Sequence, residues 1–550
     1  MKETDILIIG SGPAAISAAW PMVRAGLSIT MIDAGSGKLP SLPVATSFSA
    51  WRQNKQKIYD VLGEDFGGLA DNGDYSPKFS TPLGRAILTE SAHRTPLINA
   101  PNAIIPRAFA SGGQSTIWGA FCTAFDDNDL REFPISARDL AQGYKVTAER
   151  IGLAGMRDDL DRFHGSNLPL LDPLPLSRPA QVLLDSYAKS PKRQDFILGY
   201  ARNAVLTHGR GNRGGCVQCG LCLYGCARGS IYNSALELPA LSAFPRFTYL
   251  QGVEARKLIS LKGGSQAVQV ERSGETFEIR SQKLLLGAGT IGTTALLLEY
   301  FKRYDENVRL LCNPVAGMAF VVPRFFCEPL PEHGFGLGQL SYCISLDGSE
   351  DYATGVIYSA DTLPLSLFAE RMPLTRPLAL AFSAAIAPAL LMVTAYLSSD
   401  ASNIALRLIR DVDRAVIVVE SATMDETREK LLRVGSRLRS AFGKLGAYLV
   451  PGSLTISPPG SDAHLAGTVP MGGNDQMSCT AQCELVSKPN VYIIDGSWFP
   501  RLPPKHCTFT IMANAHRIGA QIAQKAEARA AYQSASKANL RRRARGDGSY

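Results

Sequence analysis

Short apolar runs and small-residue turns alternate at the amino terminus of the chain. The first run, at residues 5–9, leads into a turn that contains Gly10 and Gly12, and an apolar stretch and a second run at 28–32 follow. The second run ends at Asp33. This pattern predicts a strand, a helix and a second strand, with a glycine turn and helix amino terminus suited to a pyrophosphate. Because a carboxylate at Asp33 can accept hydrogen bonds from a ribose, the unit is typical of a dinucleotide site, with FAD and NAD both open.

Three later segments combine an apolar strand or loop with glycines or an acid. They are a small-residue loop at 110–119, a strand with a glycine turn at 283–292, and a strand at 490–497 that closes on Asp495. Backbone N–H groups in such loops can approach phosphate or flavin-ring oxygens. Each segment alone is also typical of ordinary α/β packing, so the information lies in their order along the chain.

The centre of the chain predicts a sheet followed by a helix. Alternating runs at 340–344 and 352–358 predict strands, and the pattern at 424–442 predicts a helix. The stretch 377–397 has no charged residue and is long enough to span a bilayer. Because its second half is richer in strand formers, we predict a buried helix followed by a strand. An apolar substrate chamber or a shallow membrane contact is the alternative interpretation.

Composition and charge exclude several classes of protein. With 45% hydrophobic and 19% charged residues, the 550-residue chain can bury a large core and is not disordered. Half of the net charge of +8 lies in the segment 537–550, which we predict to be a basic disordered tail, so no nucleic-acid partner is expected. The apolar run at 6–9 is too short for a signal peptide, and we expect a cytoplasmic protein.

Four of the eleven cysteines lie within eleven residues. Their spacing, C-x2-C-x2-C-x3-C, is that of bacterial ferredoxins, in which the fourth cysteine ligates the other cluster of a pair. Zinc sites usually separate their two cysteine pairs by a longer loop. We therefore predict an iron–sulfur cluster, with cysteines that serve only packing as the alternative. The four candidate ligands are Cys216, Cys219, Cys222 and Cys226.

The order of these motifs resembles that of the glucose–methanol–choline (GMC) oxidoreductases, a flavoprotein family. The resemblance implies an α/β fold in which a discontinuous, Rossmann-like FAD-binding domain is joined to an antiparallel-sheet substrate domain. It implies an FAD domain at 1–310 with a cysteine-rich segment at 210–230, a substrate domain at 311–455, and completion of the FAD domain at 456–530. The FAD contacts that it implies are Gly10, Gly12, Ala15, Asp33, Gly112, Gly113, Asp495 and Val253, the last only from its place in a predicted strand at 247–258.

Two of the seven histidines match the catalytic positions of that family. His464 lies in a segment that matches the one carrying the catalytic histidine, and His506 lies where the family has a second His or an Asn beside the substrate. The resemblance implies that His464 takes the hydroxyl proton, that His506 bonds to the alcohol or its alkoxide, and that flavin N5 takes the hydride. Ile117 occupies the position at which some relatives attach FAD through a histidine, so we expect non-covalent FAD.

The sequence thus predicts an FAD-dependent alcohol dehydrogenase that acts on CH–OH donors. Its layout is closest to sugar and polyol dehydrogenases with an iron–sulfur cluster, and we expect a 3Fe-4S or 4Fe-4S cluster that passes electrons to an external acceptor such as a cytochrome. The alternatives are an alcohol oxidase that uses oxygen, with structural cysteines, and a flavin-binding electron-transfer subunit without turnover. A sugar, a polyol, a sterol and an aliphatic alcohol all stay open as substrates.

Overall fold

The computed structural model describes residues 2–35, 39–44, 47–48, 51, 77–191, 195–261, 264–346, 351–369, 372–411, 414–422 and 424–544. Within them the strands are β1 Lys2–Ile9, β2 Ile29–Asp33, β3 Leu97–Asn99, β4 Phe196–Tyr200, β5 Phe247–Gln251, β6 Glu254–Ser260, β7 Gln266–Arg272, β8 Glu275–Leu286, β9 Val308–Arg309, β10 Val315–Val321, β11 Leu340–Ser345, β12 Tyr352–Ser359, β13 Leu390–Tyr396, β14 Asn403–Asp411, β15 Arg414–Ala422, β16 Tyr448–Leu449, β17 Thr455–Ile456 and β18 Val491–Ile493. The α-helices are α1 Pro13–Arg24, α2 Pro82–Ala92, α3 Ala137–Ile151, α4 Asp161–His164, α5 Arg178–Lys189, α6 Leu238–Ser242, α7 Thr290–Phe301, α8 Ser366–Ala369, α9 Arg376–Ile386, α10 Asp425–Lys444 and α11 Thr508–Ala544.

The first sheet contains the predicted strand–helix–strand unit. Strands β5, β2, β1 and β8 lie parallel in that order, and β18 pairs with β8 on the side away from β1. Residues 6–9 of β1 are at most 5% exposed, which explains their continuous apolar run. Because parallel strands end at a common edge, Gly10, Asp33 and Asp495 lie at the same edge of the sheet. The α/β fold class predicted from the sequence is confirmed.

The prediction of one continuous strand at 247–258 is wrong, because two strands, β5 and β6, occupy this range. Gly252 has a φ of +70°, a left-handed conformation that ends the strand. On one side of it β5 pairs in parallel with β2, and on the other β6 pairs antiparallel with β7. The break therefore separates the parallel part of the sheet from its antiparallel extension.

The second sheet is antiparallel throughout and has the order β16–β10–β13–β12–β11–β4, with β17 also on β10. Helix α10 covers it, and Phe442 on that helix packs against Phe320 of β10 with ring centroids 4.8 Å apart. The predicted antiparallel sheet is therefore present. One of its strands, β4, comes from the amino-terminal half of the chain.

The uncharged stretch 377–397 is the helix α9 followed by the strand β13, as predicted. The prediction that the helix is buried is wrong, because Leu378 and Phe382 are 60% and 53% exposed. Ala379 and Ser383 are the buried residues of this helix. Among the helices of the described residues, none combines the length and apolar character needed to cross a membrane.

A third sheet consists of the hairpin β14–β15 with β3 and β9 at its edges. Sequence reasoning did not predict this hairpin. At the carboxyl end, α11 extends to Ala544 and so enters the segment 537–550 that was predicted to be disordered. The remaining residues of that tail, 545–550, lie outside the described residues.

Candidate active site

Two loops bring His464 and His506 into contact. His464 lies in the loop after β17, and His506 lies in the loop that leads into α11. Their ring centroids are 4.5 Å apart, with the ring planes at 73°. Tyr396, at the end of β13, has its ring centroid 5.8 Å from that of His464 and 4.8 Å from that of His506. The structure therefore places both candidate catalytic histidines in one site beside the second sheet.

His464 is fixed by groups on its Nδ1 side. This nitrogen lies 3.1 Å from Oδ1 of Asn313 and 3.4 Å from Oδ2 of Asp462. Burial lowers the pKa of His464 to about 4 and raises the pKa of Asp462 to about 7. The imidazole is therefore neutral at pH 7 and able to accept a proton, which is what a general base requires.

The loop of His506 is held by a buried ion pair that sequence reasoning missed. Lys505 is 1% exposed, and its Nζ lies 2.5 Å from Oδ2 of Asp129, which is also 1% exposed, and 3.1 Å from Oδ2 of Asp126. Burial, together with His464 nearby, lowers the pKa of His506 well below its ordinary value. The buried Nδ1 of His506 makes no hydrogen bond within the described residues, which is uncommon for a buried polar atom. A lysine before a histidine gives no local signal of burial.

The glycine turn after β1 is shaped to leave room for a ligand. Gly10 has a φ of +97°, and a Cβ there would lie 2.2 Å from the carbonyl oxygen of Gly287. At Gly12, which precedes α1, a built Cβ would have no atom of the described residues within 4 Å, apart from those of Gly12 and its two chain neighbours. Gly113 of the second glycine loop lies against Gly12: a Cβ built on Gly113 would be 3.5 Å from the Cα of Gly12. Open space beside a helix amino terminus suits a pyrophosphate.

The remaining predicted cofactor residues lie around the same sheet edge. Oδ1 of Asp33 accepts from the Gly35 N–H at 2.7 Å, and Oδ2 accepts from the N–H and Oγ of Ser11 at 3.0 and 2.6 Å. A carboxylate has about four acceptor sites, so one stays available to a ribose hydroxyl. The backbone N–H of Val253 donates to the carbonyl of Asp33 at 2.9 Å.

The other three residues have structural partners. The backbone N–H of Gly112 donates to Ser11 Oγ at 2.9 Å, which ties the two glycine loops together. Asp495 caps the short turn after β18 by accepting from the Ser497 N–H at 3.0 Å, and it also accepts from Thr293. Ala15 is fully buried in α1. Together these contacts hold the edge of the sheet on which a dinucleotide would lie.

The cysteine run forms a compact turn next to Lys78. Burial raises the pKa of Cys216 to about 11, and it raises the pKa of Cys222 as well. Burial also lowers the pKa of Lys78 to about 8, against the opposing effect of Cys222 and Cys226. In the described part of the chain, no three His, Cys, Asp or Glu side chains are arranged to hold a metal ion. The iron–sulfur cluster therefore stays a prediction from the sequence.

Comparison with known proteins connects this geometry to a family. The carboxyl-terminal family model "GMC oxidoreductase" matches residues 410–515, which include both histidines. The 6'''-hydroxyparomomycin C oxidase of Streptomyces lividus is 24% identical over 94% of this chain and 91% of its own length. The paromamine 6'-oxidase of Streptomyces fradiae is 26% identical over 54% of this chain and 49% of its own.

Solved structures share the fold over nearly the whole chain. Pyridoxine 4-oxidase from Mesorbium loti has a TM-score of 0.60 at 16% identity and covers 94% of this chain and 99% of its own. Formate oxidase from Aspergillus oryzae has a TM-score of 0.59 at 13% identity, over 96% of this chain and 98% of its own. The chain is therefore similar to the GMC oxidoreductases in its histidine-bearing segment, which the family model matches, and it shares the fold of these two oxidases.

Proposed function

We propose that the protein oxidises an alcohol group of a small molecule, with non-covalent FAD as its cofactor. The observation that carries the proposal is the contact between two neutral imidazoles, the buried His464 and the partly buried His506, in the segment matched by the family model. The similarity to the GMC oxidoreductases supports FAD, and the open space at Gly12 and the spare acceptor site on Asp33 fit its pyrophosphate and ribose. When bound, FAD supplies the acceptor for the hydride of the alcohol carbon.

The chain's own residues handle the proton. His464, neutral because burial lowers its pKa to about 4, accepts the hydroxyl proton of the alcohol. The positive charge that results lies 3.4 Å from Asp462, which stabilises it when ionised. His506 bonds to the same oxygen and holds it next to His464. Phe121 and Tyr396 pack against His506 at 4.8 Å between ring centroids and limit the access of water.

For the substrate we propose a polar ring alcohol, with aminoglycosides as the first candidates. Two relatives are named as oxidases of paromamine and hydroxyparomomycin C, and one of them aligns over 94% of this chain. The sterol and aliphatic alternatives rest on the apolar stretch 378–391. Because Leu378 and Phe382 of that stretch are largely exposed, they do not form a closed apolar chamber.

For the electron acceptor we propose oxygen. The relatives named above are oxidases, and the described thiols do not form a three-ligand group. The iron–sulfur cluster and the external acceptor protein stay predictions from the sequence.

Anaerobic mixing with a panel of alcohols tests the proposed function. The FAD-loaded protein should lose its absorbance near 450 nm with at least one aminoglycoside, and sugars, aliphatic alcohols and sterols complete the panel. Bleaching only by a sterol or a long aliphatic alcohol would contradict the substrate class. A protein that binds FAD and is bleached by none of them would favour the electron-transfer subunit.

A further inference from the structure

The side chain of Asn313 joins three segments that meet at the histidine pair. Asn313 lies just before β10 and is 1% exposed. Its Nδ2 donates to the carbonyl oxygens of Leu397 at 2.8 Å and Pro503 at 2.9 Å, and its Oδ1 lies 3.1 Å from Nδ1 of His464. One amide thus contacts His464 directly and holds the loop that carries His506.

The orientation of this amide follows from its partners. Carbonyl oxygens only accept hydrogen bonds, so the NH2 group of Asn313 must face Leu397 and Pro503. Its oxygen must then face His464, and because an amide oxygen also only accepts, Nδ1 of His464 must carry the hydrogen. A neutral imidazole has one N–H, and Nε2 is therefore left with its lone pair.

We infer that Asn313 is a positioning residue that fixes His464 in its Nδ1–H tautomer, so that Nε2 serves as the proton acceptor, while its NH2 group clamps the His506 loop. The use of Nε2 as the base rests on the proposed function, whereas the tautomer does not. Asp462 cannot take this role, because its Oδ2 is further from Nδ1, at 3.4 Å, and accepts the backbone N–H of Asn313 at 2.8 Å.

Few of the groups that face His464 change their charge near neutral pH, so a pH titration of His464 can be interpreted. Burial raises the pKa of Tyr396, Cys312 and Cys507 to about 12 each, and His506 stays neutral because its pKa is well below the ordinary value. Among the described groups near His464, Asp462 is thus the one whose charge changes between pH 5 and 9. A second carboxylate placed at position 313 would act directly on Nδ1.

Nitrogen-15 NMR of histidine-labelled protein measures the tautomer without any turnover. His464, assigned by the loss of its signals in His464→Gln, should show a protonated Nδ1 and an unprotonated Nε2 at pH 7. Asn313→Asp keeps an oxygen acceptor and should keep this tautomer while raising the pKa of His464. Asn313→Leu removes the acceptor and should give a substantial fraction of the Nε2–H form, with flavin reduction slowed about 10- to 100-fold.

Asn514→Ala is the matched control, because Asn514 is fully buried but contacts Cys483 and Arg517 instead. It should leave the His464 signals unchanged. A wild-type His464 protonated on Nε2, or an Nδ1–H tautomer that persists in Asn313→Leu, would overturn the inference. If the tautomer is as stated but no alcohol bleaches the flavin, the proposed function fails and the positioning role stands. The wild-type spectrum decides the tautomer even if Asn313→Leu does not fold.

Discussion

Replacing Lys505 with methionine should destabilise the protein strongly and in a pH-dependent way. Both Lys505 and Asp129 are 1% exposed, so water cannot take the place of the lost ammonium group. Removing one partner of a buried ion pair typically costs about 3–5 kcal/mol, because the other charge stays buried without compensation. Met is close to Lys in length and keeps the packing, so we expect a loss of this size in the free energy of unfolding at pH 7.5.

The sign of the pH dependence follows from Asp129. Burial already raises the pKa of this carboxyl above its ordinary value, and removal of Lys505 raises it further. A carboxyl whose folded-state pKa is raised favours the folded state more as the pH falls, because protonation removes the buried charge. The difference between Lys505→Met and wild type should therefore shrink between pH 7.5 and pH 5.

Urea denaturation followed by tryptophan fluorescence at the two pH values is the assay. The matched control is Asp126→Asn, which alters the 37% exposed partner of the same lysine and should cost less than about 1 kcal/mol. A loss below about 1 kcal/mol in Lys505→Met at pH 7.5, or a loss that does not change with pH, would refute the reasoning.

Three further outcomes are expected. Gly10→Ala should lower the free energy of unfolding by more than about 2 kcal/mol, because φ is +97° and a Cβ would meet the Gly287 carbonyl. Gly12→Ala should unfold like wild type but bind FAD more weakly. Urea denaturation measures the first effect, and FAD titration measures the second. Acid precipitation followed by filtration should release all of the flavin, since Ile117 cannot form a covalent link; flavin kept on the polypeptide would disprove this. Protein purified without oxygen should contain well below one atom of iron per chain. In air it should form one peroxide for each substrate molecule that it oxidises. Three or four irons per chain with labile sulfide, lost in Cys219→Ser, would instead establish the cluster and exclude oxygen as the main acceptor.

The parts of the fold that could be predicted from the sequence are those encoded locally. The glycine turn between β1 and α1 and the carboxylate at the end of β2 follow from a few adjacent residues, and the structure has them as expected. The split of 377–397 into helix and strand also follows from local composition. Its burial does not, because the exposure of Leu378 depends on which distant elements cover the helix.

The parts that could not be predicted depend on contacts between distant residues. Asn313 reaches His464 and Pro503 only because β10, the loop after β17 and the loop before α11 meet in space. Lys505 is charged and would be expected at the surface, yet two aspartates of another segment bury it. Asp462 was within reach of sequence reasoning, since it lies two residues before His464 in the segment already singled out.

The rate at which an alcohol reduces the flavin bound to His464→Ala, measured in a single turnover, tests the central claim most directly. The variant should bind FAD as wild type does, because His464 contacts none of the residues at the glycine turn, and its rate of reduction by the best alcohol of the panel should fall about 10²- to 10⁴-fold. His208 has a side chain that is 83% exposed, and the flavin of the control variant His208→Ala should be reduced at the wild-type rate. A His464→Ala protein that retains FAD and is reduced as fast as wild type would contradict the assignment of His464 as the base.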